Sequence, residues 1–76
     1  MNTKPPTFAQ ALAAHLESRC LTQRHLAQML GVTDGMVSRY LTGYREPGAK
    51  LIERIGNVLD AYVSYYPETG WSILHH

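Results

Sequence analysis

The 76-residue chain has an apolar fraction of 45% and a formal net charge of +1, which fits one globular domain and excludes an intrinsically disordered chain. Its single cysteine, Cys20, excludes an internal disulfide. No apolar run reaches the ~18 residues of a membrane span, and residues 1–6 lack the apolar core of a signal peptide, so we expect a cytoplasmic protein.

The first predicted element is a helix over about residues 8–19. Pro5 and Pro6 disfavour a helix before Thr7, so residues 1–6 are predicted to form a short flexible arm. Thr7 can act as the N-cap, and the following apolar residues fall on one helical face. That face comprises Phe8, Ala11, Leu12 and Leu16.

Two shorter helices follow. Thr22 can cap a second helix, and Gly31 ends it, because glycine readily adopts the left-handed conformation at a helix C-terminus. Thr33 can cap a third helix that runs to about Thr42. The predicted inward residues are Leu26, Ala27 and Leu30 in the second helix and Val37, Tyr40 and Leu41 in the third.

A fourth helix is predicted from about Ala49 to Asp60 or slightly beyond, after a loop over residues 44–48 that is marked by Pro47-Gly48. Its inner face comprises Leu51, Ile52, Ile55 and Leu59. Residues 61–66 are rich in tyrosine and β-branched residues, and residues 67–70, PETG, predict a turn. Two short strands around this turn fit the pattern, as does a helix end followed by a packed tail; we favour the hairpin.

Positive charge is concentrated in the middle of the chain. Residues 19–45 contain four arginines and one aspartate, whereas residues 46–76 contain two basic and four acidic residues. A local basic face is what phosphate binding needs. On charge alone, an ordinary solvated surface is the better interpretation.

The second and third helices match the helix-turn-helix pattern, in which a short turn containing glycine joins two helices. Ala27 falls where the helices cross most closely, and Gly31 lies four residues later, in the turn. Val37, six residues after Gly31, fills the space between the helices. These residues in this order predict a helix-turn-helix over residues 23–42 in preference to an unrelated four-helix packing.

Residues 21–33, LTQRHLAQMLGVT, resemble the DNA-binding domains of lambdoid phage repressors, Cro proteins and related bacterial regulators of the xenobiotic-response-element type. The resemblance extends to residues 38–43, SRYLTG, and residues 45–47, REP. It covers about residues 7–60 of the chain. It implies an all-α, compact bundle of four to five helices, to which residues 61–76 add the hairpin or tail. It also implies a dimer on a pseudo-palindromic DNA operator.

The resemblance assigns base contacts, position by position, to the start and outer face of the third helix: Asp34, Gly35, Ser38 and Arg39. It assigns phosphate contacts to Gln23, Thr33, Thr42, Tyr44 and Arg45. Two residues depart from the family pattern. Gly35 has no side chain to contact a base and costs about 1 kcal/mol relative to alanine inside a helix. Asp34 suits the helix dipole and can accept from cytosine N4, but it repels nearby phosphate.

Physical chemistry supports three of these assignments without the family. Arg39 can pair with guanine O6 and N7, which is worth about 1–3 kcal/mol of discrimination. Arg45 suits a phosphate contact, and Gln23 can donate to a phosphate near the free amides of a helix N-terminus. The alternative for each is an ordinary surface side chain.

No catalytic or metal site is predicted. Residues 43–48 have the spacing of a phosphate-binding loop, but Ala49 stands where its lysine belongs. Cys20 lies five residues from His15 and five from His25, a spacing that does not place the three on one helical face. We therefore expect no enzyme activity, cofactor, metal or small-molecule effector.

The aromatic residues of the last segment have two interpretations. They either close the core over the helices or form a dimer surface, where aromatic residues are enriched. We favour dimerisation through residues 61–76, with Tyr62, Tyr65, Tyr66 and Trp71 at the interface.

The predicted function is a transcriptional repressor that binds double-stranded DNA as a homodimer, on bacterial or phage DNA. The alternative is an antitoxin, whose residues 61–76 would bind a toxin while its DNA binding is autoregulatory. A third, weaker hypothesis is a helical adaptor that binds no DNA.

Overall fold

The computed structural model describes residues 4–76. Its helices are α1 (Phe8–Ser18), α2 (Gln23–Leu30), α3 (Asp34–Leu41) and α4 (Ala49–Leu59), followed by the strands β1 (Ala61–Tyr66) and β2 (Gly70–His75). The predicted helical bundle is present with four helices and no fifth among the described residues. The C-terminal segment is an antiparallel hairpin, so the fold is not purely α.

Three threonines begin the first three helices. Thr7, Thr22 and Thr33 have extended backbones, and each hydroxyl accepts from the backbone N–H three residues later, at 3.1–3.2 Å. At two of these caps a side chain also returns to the cap's own N–H: Gln10 Oε1 accepts from Thr7 and His25 Nδ1 accepts from Thr22, both at 3.0 Å. Such caps each contribute about 1 kcal/mol, so the sequence fixes where these helices start.

One hydrophobic core joins all six elements. Its largest fully buried side chains are Leu12, Leu26, Val37, Ile55 and Leu59. Four residues predicted to face inward lie instead at its border, partly buried: Ala11, Leu41, Leu51 and Ile52. Helical periodicity therefore identified the buried face of each helix but not its width.

The hairpin closes one side of this core. Directly opposed residues share a face, and the pair Val63–Ile73 packs toward the core. Tyr65 lies on the same face beside Trp71 but is 53% exposed. The Trp71 ring meets Phe8 of α1 edge-on, with centroids 5.2 Å apart. A Cβ at Gly56 would lie 3.3 Å from Val63 Cγ2, so the missing side chain lets β1 approach α4 closely.

The described part of the predicted flexible arm, residues 4–6, lies against the hairpin; residues 1–3 fall outside the described residues. Trp71 N–H donates to the Pro6 carbonyl at 3.1 Å. Gly70 has a left-handed φ of 76°, and a Cβ there would lie 2.6 Å from the Pro6 oxygen and 2.7 Å from Pro5 Cβ. Glycine is required at this position both by its conformation and by the close approach of the arm.

A buried histidine lies where α1 meets the end of α4 and β2. His15 is 6% exposed, and Arg19 Nη1 lies 3.2 Å from its Nε2. Because a guanidinium can only donate, His15 Nε2 must accept and is unprotonated. Burial lowers the pKa of His15, and the positive charges of Arg19 and His75 lower it further, against an opposing hydrogen bond with the backbone of Ile73.

We expect Gly70→Ala to lower the free energy of unfolding by more than Gly31→Ala. Both glycines have left-handed φ values, 76° and 71°, and an alanine in that region costs roughly 1–2 kcal/mol. A Cβ at Gly31 meets nothing within 4 Å, whereas at Gly70 it collides with Pro5 and Pro6. Urea denaturation measures both losses; equal losses would contradict the packing of the arm on the hairpin.

The stability of the protein should fall on acidification through the titration of His15. Since its pKa is lower in the folded chain, the unfolded chain binds the proton first. The contribution of neutral His15 is complete above the ordinary histidine pKa and is lost as the pH falls from there toward the lowered value. We expect His15→Gln to reduce this loss as the pH is lowered from above to below 6.5, the ordinary histidine value, as measured by urea denaturation. An unchanged loss in His15→Gln would exclude this origin.

Candidate nucleic-acid interface

The geometry of α2 and α3 is that of a helix-turn-helix. Gly31 ends α2 in the left-handed conformation, with φ 71° and ψ 32°, and Val32 N–H donates back to the Ala27 carbonyl at 3.0 Å. Ala27 is 1% exposed and Val37 is 0% exposed, so both occupy the contact between the helices. The three residues on which the motif was predicted therefore have the predicted positions.

The outer side of α3 carries most of the predicted base contacts. Gly35 and Arg39 are exposed, and Asp34 and Ser38 are half-buried. A Cβ at Gly35 would meet only Thr33 Oγ1, at 3.9 Å, and the φ of Gly35 is not positive. Nothing within the protein therefore requires glycine at this position of the helix.

The predicted phosphate contacts Gln23, Thr33, Thr42, Tyr44 and Arg45 are all exposed. Gln23 Nε2 donates to the Asp34 carbonyl at 3.4 Å, which connects the N-termini of α2 and α3. Arg45 N–H donates to the Arg39 carbonyl at 3.2 Å, so the loop after α3 turns back onto that helix. Gln23 and Arg45 are thereby held against the two ends of α3.

The two threonines in the predicted set already make hydrogen bonds within the protein. The Thr33 hydroxyl accepts from Met36 N–H at 3.2 Å as the α3 cap, and the Thr42 hydroxyl donates to the Arg39 carbonyl at 3.3 Å. Thr33 keeps its hydroxyl proton for an outside acceptor. The Thr42 backbone N–H also donates to the Ser38 carbonyl, at 2.9 Å, so a phosphate contact by Thr42 requires its hydroxyl to reorient.

The four arginines of residues 19–45 do not form one basic face, which corrects the charge argument from the sequence. Arg19 Nη1 donates to the Leu59 carbonyl at the end of α4 and contacts His15, so it is half-buried inside the fold. Arg24, Arg39 and Arg45 remain exposed. The basic surface near α3 thus carries three arginines.

Sequence analysis missed Arg24. It is the second residue of α2, its side chain is 76% exposed, and its Nε lies 3.4 Å from Asp34 Oδ2. Its position directly after Gln23, a predicted phosphate contact at the start of α2, could have indicated a role in DNA binding. A second arginine that was missed, Arg54 of α4, donates from Nη2 to the Leu30 carbonyl at 2.6 Å and holds the C-terminus of α2.

A cleft of about 730 Å³ lies beside this surface. Its walls are the arm, the hairpin and the loop after α3, and they include Phe8, Tyr40, Arg45, Pro47 and Trp71. Among residues 4–76, no group of three or more His, Cys, Asp or Glu side chains is placed to hold a metal ion. Within the same described part, no helix has the length and apolarity needed to cross a membrane.

The fold and this surface define a DNA-binding protein of the helix-turn-helix class. The model of the helix-turn-helix family of the Cro/C1 type matches residues 12–65, and the chain belongs to that family. This confirms the resemblance inferred from residues 21–33 and 38–43.

The chain is also similar to YqaE of Bacillus subtilis, described as an uncharacterised transcriptional regulator of the helix-turn-helix type. The two are 34% identical over 58 residues, which cover 76% of this chain and 50% of YqaE. The chain therefore spans about half the length of the curated relative it matches. No solved structure matches the chain.

Proposed function

We propose that the protein is a sequence-specific transcriptional repressor that binds a pseudo-palindromic operator as a homodimer. The observation that carries the proposal is the division of α3 into two sides. Val37 and Tyr40 are buried against the bundle, while Gly35 and Arg39 face outward on a helix that fits the DNA major groove. Regulators of this kind are typically not enzymes, and the name of YqaE supports a role in transcription.

Base recognition is assigned to Asp34, Gly35, Ser38 and Arg39. Arg39 supplies the donors that pair with guanine, and Asp34 supplies an acceptor for cytosine N4. Gly35 supports the proposal differently: it weakens α3, and no internal contact requires it. A close approach of DNA to α3 at this point would explain why glycine occurs there.

Phosphate binding is assigned to Gln23, Thr33, Thr42, Tyr44 and Arg45. These residues lie at the start of α2, the start of α3 and the loop after it, on both sides of the base-contacting surface. Contacts of this kind position a protein on DNA without distinguishing its sequence. Tyr44 is 82% exposed, which leaves its hydroxyl free to donate to a phosphate.

Dimerisation is assigned to the hairpin, and the hydrogen-bond pattern supports β1 as the pairing edge. Trp71 N–H points away from β1, because it donates to Pro6. In an antiparallel pair, two directly opposed residues either hydrogen-bond to each other or both direct their backbone groups away from each other. Trp71 is opposite Tyr65, so the backbone groups of Tyr65 and, two residues earlier, Val63 point away from β2. Within residues 4–76, only β2 forms a sheet with β1.

The composition of β1, AYVSYY, fits an edge that pairs with another chain. It contains no charged residue and no proline, which are the usual protections of an exposed strand edge. Its outer face presents Tyr62, 66% exposed, directly opposite Leu74, 63% exposed, and Tyr66, 62% exposed, lies on the same face. Tyr65 and Trp71, also predicted for the interface, lie on the inner face, where Trp71 packs on Phe8.

A second copy paired across a two-fold axis suits the operator geometry. The molecule measures 37 × 27 × 24 Å, so its size is compatible with two adjacent copies that occupy half-sites one DNA turn, ~34 Å, apart. The antitoxin alternative calls for a tail that orders only on its partner. The packing of the hairpin on α1 and α4 favours the regulator.

Arg39→Ala should lose base discrimination. On the sequence selected from random DNA, we expect a loss of about 1–3 kcal/mol in binding free energy for each half-site, with a much smaller loss on random DNA. Arg45→Ala is the matched control and should weaken both complexes equally, since a phosphate contact carries no sequence information. Gel-shift titration measures both, and an equal loss on both DNAs for Arg39→Ala would remove its base-contacting role.

The double substitution Tyr62→Glu with Leu74→Lys should make the protein monomeric. The two residues are directly opposed, so the new charges attract within the hairpin and preserve it, while the apolar outer face is lost. Sedimentation equilibrium measures the mass, and affinity for the full operator should fall. The control is Ala14→Glu with Ser18→Lys, which introduces the same charges on the exposed surface of α1. A dimer that survives the hairpin variant would rule out this interface.

A further inference from the structure

We infer that Arg24 is a DNA-backbone contact whose guanidinium is held at the DNA surface by Asp34. The inference deepens the proposed function and rests on it. It makes Asp34 a positioning residue as well as a candidate base contact. It also explains why an acidic side chain stands at the start of a helix that faces DNA.

The ion pair leaves both partners able to contact DNA. Arg24 uses its Nε, at 3.4 Å from Asp34 Oδ2, so its two terminal nitrogens remain free. Asp34 uses one carboxylate oxygen and keeps the other. The side chains are 76% and 47% exposed, so DNA can reach them without any rearrangement of the fold.

Stability does not explain this pair. Exposed ion pairs contribute about 0–1 kcal/mol, and a cation in the first turn of a helix opposes the helix dipole. Arg24 is in the first turn of α2, which contains no acidic residue. A cation placed there at the expense of α2 is explained by an anionic partner outside the protein, and a DNA phosphate is that partner in the proposed complex.

Asp34 also contacts a second side chain of α2. It is the first residue of α3, and its backbone carbonyl also accepts from Gln23 Nε2 at 3.4 Å. Gln23 is itself a predicted phosphate contact, and Arg24 follows it directly in α2. Asp34 therefore orders two neighbouring side chains of α2 toward the same side, and the charge of Arg24 cancels the repulsion between Asp34 and phosphate.

The salt dependence of DNA binding distinguishes two roles for Arg24: a direct contact with a DNA phosphate, or only the neutralisation of the Asp34 charge. The comparison is Asp34→Asn against the double variant Asp34→Asn with Arg24→Gln, so that no carboxylate is unmasked. A phosphate contact predicts that adding Arg24→Gln lowers the slope of log K against log salt by about 1.8, which is about 0.9 for each subunit of the proposed dimer. Arg24→Gln is also measured in the native background, where Asp34 holds the guanidinium, and an unchanged slope in both backgrounds would overturn the inference. Arg45→Gln, added to the same Asp34→Asn background, is the reference for one lost phosphate contact per subunit.

The holding role of Asp34 is tested in the free protein. The ¹⁵N–¹H resonance of Arg24 Nε should be resolved in the native protein and should broaden or shift toward the solvent-exposed position in Asp34→Asn. An unchanged resonance would show that Asp34 does not hold the guanidinium. If the native protein itself shows no salt-dependent binding to any DNA, the proposed function fails. Native binding with no effect of Arg24→Gln removes this inference alone.

Discussion

The contact between α2 and α3 determines where every candidate DNA-binding side chain lies. Each helix has eight residues, a length at which an isolated helix is marginal in water. Val37 and Ala27 are almost completely buried between them, and Gly31 gives the chain the left-handed turn that brings the helices together. The outward direction of Arg39 and Gly35 follows from this packing, because one side of α3 is fixed against the bundle.

The rest of the fold supports that contact from two directions. Arg54 reaches from α4 to the last carbonyl of α2, and Arg19 reaches from α1 to the last carbonyl of α4. Helix C-termini leave carbonyl groups without partners, and a cation there also compensates the helix dipole. A domain this small buries only about 60% of its unfolded surface, so these bonds and the closing hairpin supplement a limited core.

Local chemistry made much of this fold predictable from the sequence. Threonine caps, the glycine that ends α2 and helical periodicity are properties of neighbouring residues, and they placed the four helices and the turn. The choice between a hairpin and a tail depended on the packing of Trp71 on Phe8, and the sequence showed only that both are aromatic. Gly56 could not be interpreted for the same reason, because its neighbour Val63 lies on another element.

The candidate site was predictable only in part, because its electrostatics depend on long side chains that bridge distant positions. Arg54 and Leu30 are 24 residues apart, and Arg19 and Leu59 are 40 apart, so no spacing rule connects them. The partner of Arg24, ten residues away, is visible only once α2 and α3 are packed. Counting arginines along the sequence therefore overestimated the basic face.

A smaller basic face changes how the protein can bind DNA. Three exposed arginines near α3, set against Asp34, give one subunit little non-specific attraction, and that attraction weakens further with salt. Most of the affinity must then come from direct contacts of individual side chains with bases and phosphates. One short helix can contact only a few base pairs. In the proposed dimer, two subunits joined through β1 would overcome this limit, because binding of the first half-site would raise the effective concentration of the second α3 at its own half-site. The modest charge of the interface and the lack of charged residues and proline in β1 therefore both support the proposed dimer.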